Sequence, residues 1–169
     1  PSDISNLLDS EKKRREEMDL SLADFRAWNE EMARKYNPDD YHNNSFILIR
    51  WVESRRVKAI YRLLQAEKMD TVLEVGCGAG NVLGNLDCGQ AIGVDLSPDL
   101  LQIARTKQYR APCQLLQSFG EDLPLESGSI DKVVCTEVLE HVQQPRRICA
   151  EVNRILKPGG RFVFSVPNE

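Results

Sequence analysis

The stretch TVLEVGCGAG, residues 71 to 80, constrains the fold more than any other. A short apolar run broken by one acid leads directly into three glycines at alternate positions. Val72, Leu73 and Val75 read as a strand buried on both faces, the pattern of a parallel sheet covered by helices. Gly76, Gly78 and Gly80 then give a turn whose backbone can take positive φ and approach a ligand closely. A helix opening behind such a turn would favour negative charge at its start.

The rest of the chain agrees with that beginning. After residue 70, short apolar runs alternate with amphipathic segments. AIGVD, CQLLQ, DKVVCT and RFVFSV read as strands, and NVLGNL, SPDLLQIARTKQ and PRRICAEVNRIL as helices. The expected core, residues 70–169, is a doubly wound, mostly parallel α/β sheet. LKPGG, residues 156–160, reads as a helix stop and turn into the fifth strand.

Residues 1–69 have a helical pattern and are expected to form an N-terminal cap. DSEKKRREEMDL is a charge-dense lead-in. SLADFRAWNEEMARKY carries Ser21 as its N-cap and Leu22, Phe25, Trp28 and Met32 at helical spacing. A third helix is expected from Ser45 to Leu64, with Ile49, Val52, Val57, Ile60, Leu63 and Leu64 on one stripe. Between the last two, Tyr41, His42 and Asn43 form either a turn or part of an acceptor site.

Composition narrows the partners. The chain has 169 residues, a formal net charge of −4 and a pI near 5.3, so a broad electrostatic grip on nucleic acid is not expected, although a local basic patch stays open. No apolar run nears the roughly 20 residues of a membrane span, and the opening residues do not read as a signal peptide. The five cysteines contain no C-x-x-C pair, which favours reduced thiols, a cytoplasmic location and no zinc cluster. Cys77, Cys135 and Cys149 lie in apolar stretches and read as structural.

The glycine spacing helps to separate ligand classes. A nicotinamide fingerprint requires glycine where this chain has Asn81. The third glycine falls at Gly80 instead, giving E-x-G-x-G-x-G from Glu74. The next strand ends at Asp95, whose carboxylate can accept from both hydroxyls of a ribose. It could also cap the following helix, but Ser97 before Pro98 suits that role better.

VLEVGCGAG, GVDLS, EDLPLESGSIDKVVCTEVLEHV and RILKPGGRFVFSVPNE together resemble the successive motifs of class I S-adenosylmethionine-dependent methyltransferases, in the group that includes ubiquinone-biosynthesis O-methyltransferases. The resemblance implies a Rossmann-like fold, S-adenosyl-L-methionine as cofactor and a small-molecule methyl acceptor, with oxygen as the expected atom. It would place Glu74, Gly76, Cys77, Gly78 and Gly80 around the methionine half of the cofactor. Asp95 would hold the ribose, and Leu96 would flank the adenine. Phe119, Gly120, Glu121 and Asp122 would lie along the adenine rim. Where such families often have an acid, this chain has Phe119, which could stack on the purine or simply be core. Proteins of this kind usually carry seven strands. The present sequence stops after the fifth, as a fragment would, or a chain whose edge is covered by a partner.

E-x-x-E-H in CTEVLEHV raises a further possibility. If a helix begins there, Glu137, Glu140 and His141 share one face and could bind a divalent metal. The segment also resembles the metal-binding stretch of small-RNA 2′-O-methyltransferases. Two other readings stand beside it: His141 as a general base or acceptor-site wall, and a structural helix start. A non-catalytic cofactor-binding module is the remaining alternative.

Overall fold

The structure, a computed structural model, describes residue 27 and residues 47–142 and 144–166. Apart from Ala27, which is helical, the helices expected before Ser45, and Tyr41, His42 and Asn43, lie outside the described residues. The first described helix is α1 (Ile47–Leu64), followed by β1 (Thr71–Val75) and β2 (Gln90–Asp95). Then come α2 (Pro98–Arg105), β3 (Cys113–Gln117), β4 (Ile130–Thr136), α3 (Pro145–Ile155) and β5 (Leu156–Ser165).

The five strands form one sheet in the order β3-β2-β1-β4-β5, with every pair parallel. Val75 pairs with Val94 on one side and with Cys135 on the other. The chain moves outward from β1 to β3 and then returns to the other side of β1 for β4. That reversal opens a crevice at the carboxyl ends of β1 and β4, where ligands of such sheets bind. The outer edge of β5 pairs with no strand among the described residues, and Phe164 is exposed there.

Alternation along β1 divides the core into two layers. Val72 points into a cluster with Ile60 and Leu64 of α1 and Leu101 of α2. Leu73 and Val75 point the other way, toward Ile148, Val152 and Ile155 of α3. These last three recur at helical spacing and are fully buried, each worth roughly 1.5–3 kcal/mol of burial. Ser97 caps α2 as expected, accepting from the Leu100 amide at 3.3 Å, with Pro98 in the first turn.

Gly93 explains how the layers reach their density at β2. A Cβ built there would lie 2.6 Å from Leu83 Cδ1, 2.7 Å from Leu115 Cδ2 and 2.8 Å from Cys77 Sγ. Three side chains converge on the space that this residue leaves open.

Four expectations change. NVLGNL forms no α-helix, only a 3-10 turn over Leu83–Asn85. Gly84 inside the segment weakens a helix by about 1 kcal/mol, and Leu83 instead plunges into the core. Leu63 is exposed rather than part of the buried stripe, because Ile60 and Leu64 set which face of α1 meets the sheet. Cys149 is exposed on α3, whereas Cys77 and Cys135 are buried; all five cysteines are free. Finally, β5 already begins at Leu156, with an irregular register against β4 between Ile130 and Lys132 that absorbs KPGG.

Candidate functional site

The glycine turn folds over the end of β2. The amides of Gly76 and Cys77 both donate to the Val94 carbonyl, at 2.8 and 3.0 Å. Gly76, Gly78 and Gly80 all have positive φ, at 71°, 50° and 77°. Gly76 is further constrained by packing: an added Cβ would lie 2.2 Å from Val138 Cγ2.

Asp95 organises this turn from the tip of β2. Its Oδ2 accepts from the Gly78 amide at 2.7 Å and its Oδ1 from the Ser97 amide at 2.8 Å. Burial pushes its carboxyl above the usual range, while the amides of Ser97, Gly78 and Leu96 pull it back. A carboxylate offers about four acceptor positions, so the two bonded amides leave room for hydroxyl donors of a ligand.

A cavity of about 200 Å³ opens at this point. Gly76, Gly78, Asp95 and Leu96 form one side, and Phe119, Gly120 and Glu121 another. Glu137, Val138 and His141, from the segment after β4, close it. Ile148 contributes from α3. The lining carries the carboxyl groups of Asp95, Glu121 and Glu137 but no Lys or Arg among the described residues. The site therefore suits a ligand with cationic character.

Several candidates lie elsewhere. Glu74 is 2% exposed and points beneath the turn, where it accepts from the Leu83 amide; its Oε2 has no hydrogen-bond partner among the described residues. The Cys77 side chain sits in the core. Gly80 packs against Tyr109, whose hydroxyl would lie 2.4 Å from an added Cβ. Asp122 is exposed, outside the cavity lining, and Glu140 is also absent from that lining.

The metal reading is corrected by backbone geometry. Glu137 has φ of 55°, so β4 ends in a left-handed bend and no helix begins there. The helical face that would align Glu137, Glu140 and His141 does not form. Glu137 Oε1 instead accepts from Ser165 Oγ at 2.8 Å and pairs with Arg56 Nη1 at 3.3 Å. His141 Nε2 and Glu140 Oε1 are 3.9 Å apart. No group of three or more potential ligands able to hold a metal occurs among the described residues.

Sequence reasoning missed Val138 and Leu100, which both line the cavity, and Arg56. Val138 packs over Gly76, which a glycine demanding an absent Cβ could have suggested. Arg56 lies in a helix read for its apolar stripe, and only its tertiary position links it to the cleft.

Residues 73–164 match the methyltransferase domain family. Over 103 residues the chain is 40% identical to a ubiquinone biosynthesis O-methyltransferase of Xanthomonas oryzae pv. oryzae, covering 57% of this chain and 43% of that protein. Over 112 residues it is 38% identical to an uncharacterized 37.1 kDa protein in transposon TN4556 of Streptomyces fradiae, covering 62% of this chain and 32% of that one. The chain thus spans less than half the length of these relatives. Among solved structures, a chain of the complex between the Haloferax volcanii Trm112 methyltransferase activator and a methyltransferase aligns with a TM-score of 0.62 at 27% identity. It covers 83% of this chain and 58% of that one. From β1 into β5, this chain belongs to the methyltransferase domain family.

Proposed function

We propose that this chain is the cofactor-binding part of an S-adenosylmethionine-dependent methyltransferase whose acceptor is a small molecule, with oxygen as the methylated atom. The observation that carries the reading is the Asp95 carboxylate at the tip of β2, bonded to the Gly78 amide beside a cavity. Such a glycine-rich turn fits an adenosyl amino acid, and the acceptor positions of Asp95 not taken by amides fit ribose hydroxyls. Leu96 and Phe119 supply apolar walls for a purine, with Glu121 at its rim. When bound, the sulfonium supplies a methyl group already activated by positive charge.

The protein's part is alignment, exclusion of water and removal of a proton. His141 is exposed at the mouth of the cavity and is our candidate base. It would take the proton of the acceptor hydroxyl as the carbon–oxygen bond forms. Val138 and Ile148 exclude water from the inner end. Free thiols, and no helix long and apolar enough to cross a membrane among the described residues, accord with a cytoplasmic location. The similarity to a ubiquinone biosynthesis O-methyltransferase supports oxygen as the acceptor atom.

Calorimetric titration tests the reading directly. S-adenosylhomocysteine should bind at one site and NADH should not. Binding of NADH with no response to S-adenosylhomocysteine would overturn it. Binding without methyl transfer to any acceptor would favour a non-catalytic module.

A further inference from the structure

The outward face of α1 carries a feature with no part in the cleft. Trp51, Arg55, Lys58 and Arg62 are all exposed and follow one another at spacings of four, three and four residues. That spacing aligns them in one stripe, about 16 Å long at 1.5 Å per residue. The Arg55 guanidinium lies over the Trp51 ring, 4.8 Å from its centroid. Arg55, Lys58 and Arg62 have no acidic partner among the described residues. The helix carries five basic residues against one acid, in a chain whose net charge is −4.

The opposite side of α1 is fully committed. Ile60 and Leu64 are buried in the core, with Val57 packed beside them. The Tyr61 hydroxyl donates to the Val82 carbonyl at 2.7 Å, and Arg56 pairs with Glu137. The stripe is therefore held on a fixed helix.

We propose that Trp51, Arg55, Lys58 and Arg62 form a docking surface for single-stranded RNA, separate from the cleft and independent of the methyltransferase reading. Three cations in a row match the charge of a phosphate backbone, and an exposed indole offers a platform on which a base can stack. An anionic membrane fits less well, because the apolar stripe of α1 is spent on the core and only Trp51 remains to insert. An acidic peptide would satisfy the cations but offers no base to stack on the ring face that Arg55 leaves open.

The test uses the whole chain and a fluorescently labelled 15-nucleotide oligouridylate, followed by anisotropy. Binding should weaken roughly twenty-fold between 50 and 200 mM salt, as three neutralised phosphates at about −0.7 each in log–log slope require. In a Trp28→Phe background the remaining indole emission should be quenched on binding. Arg55→Glu, Lys58→Glu and Arg62→Glu combined should weaken binding at least tenfold. The corresponding three glutamine substitutions should do so too if charge reversal disturbs folding, which circular dichroism would reveal. Trp51→Leu should remove the quenching and part of the affinity. No binding at 50 mM salt, or equal binding by the charge variants, would overturn the proposal. So would tighter stripe-dependent binding to phosphatidylserine vesicles or polyglutamate than to the RNA.

Discussion

The Gly78 amide donates to Asp95 Oδ2 at 2.7 Å, so one carboxylate both shapes the glycine turn and lines the cavity beside it. Asp95→Ala removes both functions. Affinity for S-adenosylhomocysteine should fall at least tenfold, about 1.4 kcal/mol, with a further loss of stability of roughly 1–3 kcal/mol from the orphaned amides. Calorimetry and thermal melting would separate the two effects. An unchanged affinity would remove the ribose assignment.

Gly76→Ala brings a methyl group into Val138 at a position already held at φ of 71°. Left-handed backbone strain alone costs roughly 1–3 kcal/mol, and the collision adds to it. Adding Val138→Ala should restore part of the lost stability but not all, because trimming the valine relieves the contact and leaves the backbone strained. Full restoration in denaturant melts would show that φ contributes little.

Glu74 gives a pH prediction with a definite sign. Burial holds its carboxyl well above the usual carboxylate range; the Leu83 amide opposes this and Asp95 adds to it. The native chain therefore keeps a proton that the unfolded chain releases above about pH 4.3. Stability falls as pH rises from there toward the folded value, by at most about 1.4 kcal/mol per unit. Glu74→Gln cannot ionise, so its melting temperature relative to the parent should climb as pH increases through that window. A constant difference across the series would contradict the burial argument.

The Arg56–Glu137 pair is only partly shielded from solvent, so its strength should be modest. Arg56→Met should destabilise the chain by about 1 kcal/mol, and a double-mutant cycle with Glu137→Gln should show coupling of a few tenths or more. EDTA should leave both stability and S-adenosylhomocysteine affinity unchanged, since Glu137 is engaged by Arg56 and Ser165. A chelator-dependent loss would revive the metal reading of Glu137, Glu140 and His141.

The sheet was legible because buried parallel strands leave short apolar runs, as at Val72, Leu73 and Val75 in β1 and at Val133, Val134 and Cys135 in β4. Ser97 and Pro98 likewise announced the start of α2 through local capping chemistry. The segment after β4 was not legible. E-x-x-E-H has perfect helical spacing, but whether Glu137 enters a helix depends on Arg56 and Ser165, which are remote in sequence. The same holds for Glu74. Its place beside the glycines suggests the ligand, whereas strand alternation turns it toward the opposite layer.

Arg56 also bears on how this chain can be dissected. Composition changes near residue 70, which invites a cut there, yet Ile60 and Leu64 from before it fill the same core layer as β1. An excised sheet that begins at residue 70 would lose that filling and the Arg56 guanidinium that pairs with Glu137 at the bend. Whatever the first 69 residues contribute as a cap, the last two turns of α1 behave as part of the α/β unit, and a minimal expression boundary belongs upstream of them.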